Sequence, residues 1–262
     1  MRLRFIVSRK VFALGIIWAL GGEFFSATHG AAAESSTRPY VPVYPVKASP
    51  NNRYLVDLNS VPFMIVGDSP HSLIGRMSKS DAAFYMVNRQ RYGINTLWVE
   101  LLCNDKTAGN ADGTTLDGIP PFTTAGDIST PNPAYFERVD DMLSIAATHG
   151  ITLLLDAVET DGWLTIYKAN GSGKAAAFGR YLGQRYKDVP NIIWMYGNDF
   201  QTWENPADDA VVLAVAQGIR SVDYATTART PDGTLIITYH AGRRHNNRRY
   251  VQAFGTSGGS LV

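Results

Sequence analysis

The chain has 262 residues, of which 24 are Lys or Arg and 23 are Asp or Glu, so its formal net charge at pH 7 is +1. This near balance argues against nucleic acid as a partner, because nucleic-acid-binding surfaces are usually strongly basic. The single cysteine, Cys103, excludes a disulfide framework within the chain and a zinc site built from cysteines. Aromatic residues make up 11% of the chain, which is compatible with carbohydrate binding, although large hydrophobic cores also use aromatic rings.

The first 33 residues have the pattern of a secretory signal peptide. Basic residues at the start precede a short apolar run over residues 11–21, and small residues end the segment at Ala31-Ala32-Ala33. The run is too short to span a bilayer, and no arginine pair precedes it, so the pattern predicts Sec-type export and cleavage near residue 33. We therefore expect a secreted or periplasmic protein that has no membrane association after cleavage. The alternative interpretation is an uncleaved membrane anchor.

Residues 34–50 contain four prolines, at positions 39, 42, 45 and 50, together with Ser and Thr. This composition predicts an extended linker or a surface strand rather than a helix. The roughly 210 residues that follow are enough for one large α/β domain with a sizeable core.

Residues 51–240 are predicted to form helices and strands in alternation. Residues 53–57 and 61–63 flank a turn and read as a hairpin, and the apolar residues 63–67 read as a continuous strand that ends at Asp68. A capped helix over 78–92 comes next, followed by a strand that starts at 95 and carries Glu100 and by a polar loop over 103–131. A helix from Asn132 to Gly150 then precedes a strand at 151–158, and a helix over 174–186 precedes a strand at 192–196. The last predicted elements are a helical face at Val212, Val215, Ala216, Ile219 and Val222 and a strand at 235–239. Alternation of apolar strands with helices predicts a parallel sheet covered by helices. Five strand–helix candidates are present, whereas a closed barrel needs eight strands.

Polar or aromatic side chains that could serve a site occur at or shortly after the predicted strands. They are Asp68 and His71 after the first strand, Glu100 on the second, Glu159 and Trp163 after the third, Asn198, Asp199 and Trp203 after the fourth, and His240 after the fifth. In parallel barrels the carboxyl ends of the strands meet at one face, which carries the active site. The series therefore predicts a polar site at that face.

Asp199 is the predicted general acid/base. Tyr196 and Phe200 lie beside it in the sequence and Trp203 lies close to it, and apolar surroundings raise the pKa of a carboxyl group so that it can donate a proton near neutral pH. The alternative is a helix cap or an ordinary loop carboxylate. Asn198 could hydrogen-bond a sugar hydroxyl or simply hold a tight turn.

The other candidates have a structural alternative beside the functional one. Glu100 lies in an apolar run, so it is expected either to bind substrate or to pair with an arginine, because an unpaired buried charge is costly. Asp68 faces the same choice and is assigned here to substrate binding. Trp163 and Trp203 could stack on sugar rings or pack against loops.

Nucleotide cofactors, a serine nucleophile and a metal are not expected. The sequence has no P-loop, no Gly-x-Gly-x-x-Gly after a first strand and no Gly-x-Ser-x-Gly elbow, and its His71 and His240 are not in a metal-ligand spacing.

Several motifs occur in an order that resembles the apiosidase-like glycoside hydrolase catalytic domain. They are Gly-Asp-Ser at 67–69, Tyr-Gly-Ile-Asn at 92–95, Asn-Pro-Ala-Tyr-Phe at 132–136, Arg-Tyr-Lys-Asp-Val-Pro-Asn-Ile-Ile-Trp at 185–194, Gly-Asn-Asp at 197–199 and Thr-Tyr-His at 238–240. The resemblance implies a (β/α)8 barrel of the retaining glycosidase superfamily, with Asp199 as the acid/base and a nucleophilic Glu or Asp near the seventh strand. It implies no cofactor.

The sequence departs from this family after His240. Residues 241–262 are a basic, Gly-rich tail that does not resemble strands six to eight, so the nucleophile is not assigned and about five β/α units are expected, as in a fragment. We expect such a chain to have little glycosidase activity by itself.

The expected function is hydrolysis of side-chain or terminal glycosidic bonds in plant or microbial polysaccharides, with a polysaccharide or oligosaccharide as the partner. The alternatives are an inactive carbohydrate-binding remnant and, third, a metal-dependent barrel hydrolase. The sequence gives no oligomeric state.

Overall fold

The computed structural model describes residues 40–51, 53–197 and 205–222. A small antiparallel sheet comes first, in the order β1 (Lys47–Ala48), β2 (Leu55–Val56) and β3 (Pro62–Phe63). Leu55 pairs with Phe63 across the turn, as the sequence predicted for this hairpin. β1 lies inside the Pro-rich segment 34–50, where its Ala48 pairs with Leu55.

A parallel sheet of four strands follows, in the order β4 (Gly67–Asp68), β5 (Thr96–Glu100), β6 (Thr152–Asp156) and β7 (Ile192–Met195). The helices are α1 (Leu73–Arg76), α2 (Lys79–Arg91), α3 (Pro133–Thr148), α4 (Leu164–Tyr186) and α5 (Pro206–Arg220), and a 3-10 turn spans Asp105–Thr107. Strand order along the sheet therefore follows chain order, with helices in the crossovers, as in the consecutive β/α units of a barrel.

Helix boundaries follow the predicted capping signals. Ser78 accepts a hydrogen bond from the Asp81 amide at 3.1 Å at the start of α2, and Asn132 accepts one from the Ala134 amide at 3.2 Å at the start of α3. These side chains satisfy amides that have no partner in the first helical turn. α4 begins ten residues earlier than predicted and is broken at Gly171, whose φ is +75°.

The predicted continuous strand over residues 63–67 is wrong. Phe63 belongs to β3 in the antiparallel sheet, whereas Gly67 belongs to β4 in the parallel sheet. Between them the side chain of Asn95 accepts from the Val66 amide at 3.0 Å and donates to the Met64 carbonyl at 2.7 Å. An apolar run indicates burial or pairing but not the partner strand, so sequence alone merged two short strands into one.

The two faces of the parallel sheet have different partners. Leu97, Val99, Leu153, Leu155 and Trp194 belong to the main hydrophobic core, which also includes buried residues of the helices. On the opposite face Leu154 and Ile193 pack with Ala48 and Leu55 of the small sheet. Side chains alternate along a strand, so Glu100 and Asp156 belong to this second face, at its carboxyl end.

No helix within the described ranges is both long enough and apolar enough to cross a membrane. The predicted signal peptide over residues 1–33, the predicted strand over 235–239 and the tail over 241–262 lie outside those ranges.

Candidate active site

The carboxyl ends of β5 and β6 bring two acidic side chains together. Glu100 and Asp156 end the two strands, are paired in the sheet register and are fully buried. The loop after β4 brings His71 to the same place, where its Nδ1 lies 3.9 Å from Oε1 of Glu100. The parallel sheet thus assembles a polar cluster at the end where the sequence predicted a site.

Glu100 has acidic and imidazole neighbours rather than an arginine. Burial, followed by the charges of Asp156 and Glu159, raises the pKa of Glu100 well above its ordinary value. Within the described residues the ion-pair neighbour of Glu100 is His71, and the expected pairing with an arginine is not found there. The proposed role of Glu100 in substrate binding stays a prediction.

His71 is the more accessible member of this cluster. Its side chain is 28% exposed, and its ring lies 4.8 Å from the Trp98 ring, centroid to centroid, at a tilt of 44°. The loop that carries it is fixed by the Glu100 amide, which donates to the His71 carbonyl at 3.0 Å. His71 is therefore partly exposed at the carboxyl end of the sheet, and its binding role stays a prediction.

Asp156 is a site residue that the sequence analysis did not single out. Its Oδ1 accepts from the Val158 amide at 3.0 Å and from the Gly197 amide at 3.2 Å. Burial raises the pKa of Asp156 to about 7, although these two amides oppose the rise. An available signal was the same one that marked Glu100, namely a charge inside an apolar strand.

Glu159 organises the loop after β6. Its carboxylate accepts from Asn104 Nδ2 at 2.6 Å and from the amides of Asp161, Gly162 and Trp163 at 2.7, 2.9 and 3.2 Å. Burial raises its pKa, and these donors oppose that rise. Four donors to a fully buried carboxylate support a structural role, and its proposed substrate binding stays a prediction.

Trp163 is buried, being only 4% exposed. Its Nε1 donates to the Cys103 carbonyl at 3.4 Å, and its ring meets Phe122 edge to face at 5.9 Å. Stacking on a sugar needs an exposed ring face, so the structure favours the packing alternative for Trp163.

Asp68 is held by neighbours within its own β/α unit. It accepts from the Tyr85 hydroxyl and the Ser69 amide, each at 2.8 Å, and pairs with Arg89 at 3.1 Å. The Tyr85 hydrogen bond is the largest cause of its lowered pKa. Asp68 therefore has structural partners, and its assignment to substrate binding stays a prediction.

Asn198, Asp199, Trp203 and His240 lie outside the described residues. The described range 53–197 ends at Gly197, directly before Asn198 and Asp199. Among the described residues, no group of three or more His, Cys, Asp or Glu side chains could hold a metal ion.

The family model of the apiosidase-like catalytic domain matches residues 49–255 of this chain. A comparison with curated proteins gives no match.

Solved glycoside hydrolases have a similar fold. One structure described as a glycoside hydrolase is 24% identical, with a TM-score of 0.62 over 78% of this chain and 42% of its own. A family 5 glycoside hydrolase from Bacteroides vulgatus is 24% identical, with a TM-score of 0.64 over 81% of this chain and 44% of its own. The endo-1,4-beta-mannanase from Rhizomucor miehei is 15% identical, with a TM-score of 0.52 over 71% and 60%.

These likenesses establish the fold, which is of the (β/α)8 barrel type, with four consecutive parallel strands in the described residues. The chain spans less than half the length of the first two solved structures.

Proposed function

The chain belongs to the apiosidase-like family, and on that premise we propose that it acts as a glycoside hydrolase on side-chain or terminal glycosidic bonds of plant or microbial polysaccharides. The observation that carries this proposal is the position of Gly197. It follows β7 at the carboxyl end of the parallel sheet, hydrogen-bonded to the loop after β6, and leads directly into Asn198 and Asp199. A carboxylic acid that follows a barrel strand at this end is suitably placed to protonate a leaving group.

The proposed mechanism is retaining. Asp199 protonates the leaving oxygen and then activates water, while a second carboxylate about 5–5.5 Å away forms a covalent glycosyl-enzyme. The buried carboxyl groups of Glu100, Asp156 and Glu159 are engaged within the fold, so none is assigned as the nucleophile. The resemblance implies a nucleophilic Glu or Asp on a later strand.

The test of Asp199 uses a full-length homologue or a repaired gene, because little activity is expected of this chain by itself, and aryl glycosides that differ in the pKa of the leaving phenol. Asp199→Asn should slow glycosylation on the order of 10²–10⁴-fold with a poor leaving group, because protonation of that group is lost. A good leaving group needs little protonation, so its glycosylation rate should fall much less. Asp188→Asn is the matched control, because Asp188 is an exposed acid before β7, at the opposite end of the sheet.

Equal loss of glycosylation rate with both substrates would remove Asp199 from the acid role. Oligosaccharide binding without turnover by the full-length wild type would instead favour a carbohydrate-binding protein. Turnover that chelators abolish would favour a metal-dependent hydrolase.

We also propose Sec-type export to the periplasm or the medium, with a mature chain that begins near Glu34. The support is the basic start, the short apolar run and the small residues before Glu34. N-terminal sequencing of exported protein tests it. Recovery of the intact chain from Met1 in the membrane fraction would contradict cleavage.

A further inference from the structure

Two fully buried carboxyl groups face each other at the ends of β5 and β6. Glu100 and Asp156 are register partners on adjacent strands, and both side chains are fully buried on the same face of the sheet. Two charged carboxylates at neighbouring positions in a buried site would repel each other strongly. A single proton shared by the two groups avoids placing two like charges together.

The surrounding donors place the charge of this pair on Asp156. Its Oδ1 accepts two backbone amides, those of Val158 and Gly197. The Glu100 carboxyl group has the Trp98 side chain as a donor, but this is the smallest of the causes named for its pKa. Burial is the largest cause that raises the pKa of both acids, but for Asp156 the two amides are the next largest and act in the opposite direction. Glu100 is thus the protonated partner and Asp156 the acceptor.

The charged oxygen of the pair holds the backbone at Gly197. The Gly197 amide donates both to Asp156 Oδ1 at 3.2 Å and to the Val158 carbonyl at 3.1 Å. Gly197 has φ = +92°, a conformation that glycine adopts without the steric cost other residues meet. The direction in which the chain leaves β7 is therefore fixed by a side chain on the neighbouring strand.

We propose that Glu100 and Asp156 share one proton and together act as positioning residues, which hold the Gly197 amide and so orient the segment that leads into Asp199. The inference rests on the proposed function of Asp199. It assigns to the two buried acids a role that needs no contact with the substrate.

Among the described residues, four other titratable groups lie around the acid pair. His71 lies beside Glu100, with its Nδ1 atom 3.9 Å from Oε1, and its imidazole is an ionisable group. Glu159 has its own four donors, burial raises the pKa of Cys103 to about 12, and burial raises that of Tyr167 well above its ordinary value. A titration step near neutral pH must therefore be assigned either to the acid pair or to His71. The His71→Gln variant removes the imidazole and so distinguishes the two.

The first experiment follows the Gly197 amide by NMR as a function of pH. In the wild type its chemical shift should titrate with the acid pair. Glu100→Gln retains a donor to Asp156 but removes the shared proton, so the titration step should move to lower pH. Asp156→Asn retains an acceptor for Gly197 but cannot ionise, so the step should disappear. A wild-type Gly197 shift that does not titrate, or a step that neither variant alters, would overturn the inference.

The second experiment measures, in the same full-length protein that tests Asp199, how kcat depends on the leaving group. Asp156→Ala removes the acceptor that holds Gly197, and displacement of a catalytic group by about 1 Å can cost on the order of 10²-fold in rate. The loss should appear in kcat with poor leaving groups, with KM little changed, and Asp156→Asn should recover much of it. Asp57→Asn is the control, because Asp57 is a fully buried acid of the small antiparallel region.

The outcomes separate the two proposals. If Asp156→Ala lowers the rate equally for all leaving groups, the pair is merely structural and the inference fails. If Asp156→Ala does not fold, the titrations of Glu100→Gln and Asp156→Asn decide the inference. If the wild type shows no turnover, the proposed function fails, whereas the titration of Gly197 still decides whether the pair holds that amide.

Discussion

The Nδ2 atom of Asn104 donates to Oε2 of Glu159 at 2.6 Å, and this bond joins the loop after β5 to the loop after β6. Both side chains are buried. The loops come close enough that a Cβ atom on Gly162 would lie 2.0 Å from the same Nδ2 atom. The bond therefore fixes the relative position of two segments beside the candidate site.

Asn104→Ala should destabilise the fold by about 1–3 kcal/mol, because it leaves a buried carboxylate short of one donor. Urea unfolding measures the change. Asp161→Asn is the control on the same loop, because its side chain is exposed and its backbone amide still donates to Glu159. Equal stability of Asn104→Ala and the wild type would show that water replaces the amide.

Gly179→Ala should destabilise the fold by about 1–3 kcal/mol through overpacking. A Cβ atom at this position of α4 would lie 2.2 Å from the Val215 carbonyl oxygen of α5, and a backbone atom cannot yield as a flexible side chain can. Gly173→Ala in the same helix meets nothing within 4 Å and should be neutral or stabilising by up to about 1 kcal/mol. In thermal melts the melting temperature should fall for Gly179→Ala and should stay the same or rise for Gly173→Ala. A Gly179→Ala variant as stable as the wild type would contradict the close approach of the two helices.

Raising the pH should destabilise the wild type through the Glu100–Asp156 pair. Burial raises the pKa of Glu100 well above 4.5 and that of Asp156 from 3.8 to about 7, so their contribution is present below about pH 4 and is lost as pH rises through the folded values. The Gln side chain of Glu100→Gln cannot ionise. Between about pH 5 and about pH 9 its free energy of unfolding should therefore decline less steeply with pH than that of the wild type. Parallel stability curves for the two proteins would contradict the shared proton.

Asp57→Asn should have the opposite pH dependence. Burial disfavours the charge of Asp57, but hydrogen bonds from Tyr40, Val43 and Val61 outweigh it, and the pKa lies below 3.8. The contribution of Asp57 is therefore present above pH 3.8 and is lost as pH falls through the folded pKa. Melting temperatures should differ most near neutral pH and converge in acid; a constant difference would mean that the charge is not involved.

The sequence by itself determined the starts of α2 and α3 and the order of the parallel strands. Ser78 and Asn132 cap helices through amides two or three residues away, and such contacts depend on nearby residues alone. The apolar strand that carries Glu100 was also predicted, because residues 97–99 form an apolar run directly before it. The motif series identified the family, which the match over residues 49–255 confirms.

Only the tertiary structure decided which partners these residues meet. The apolar residues 63–67 were divided between two sheets, and Trp163 was buried against Phe122. Glu100 received Asp156, 56 positions along the chain, as a register partner, and Asp156 in turn holds Gly197. Periodicity and caps are set by the local chain, whereas the pairing of two acids depends on the register of separate strands, and register is fixed only when the whole sheet packs.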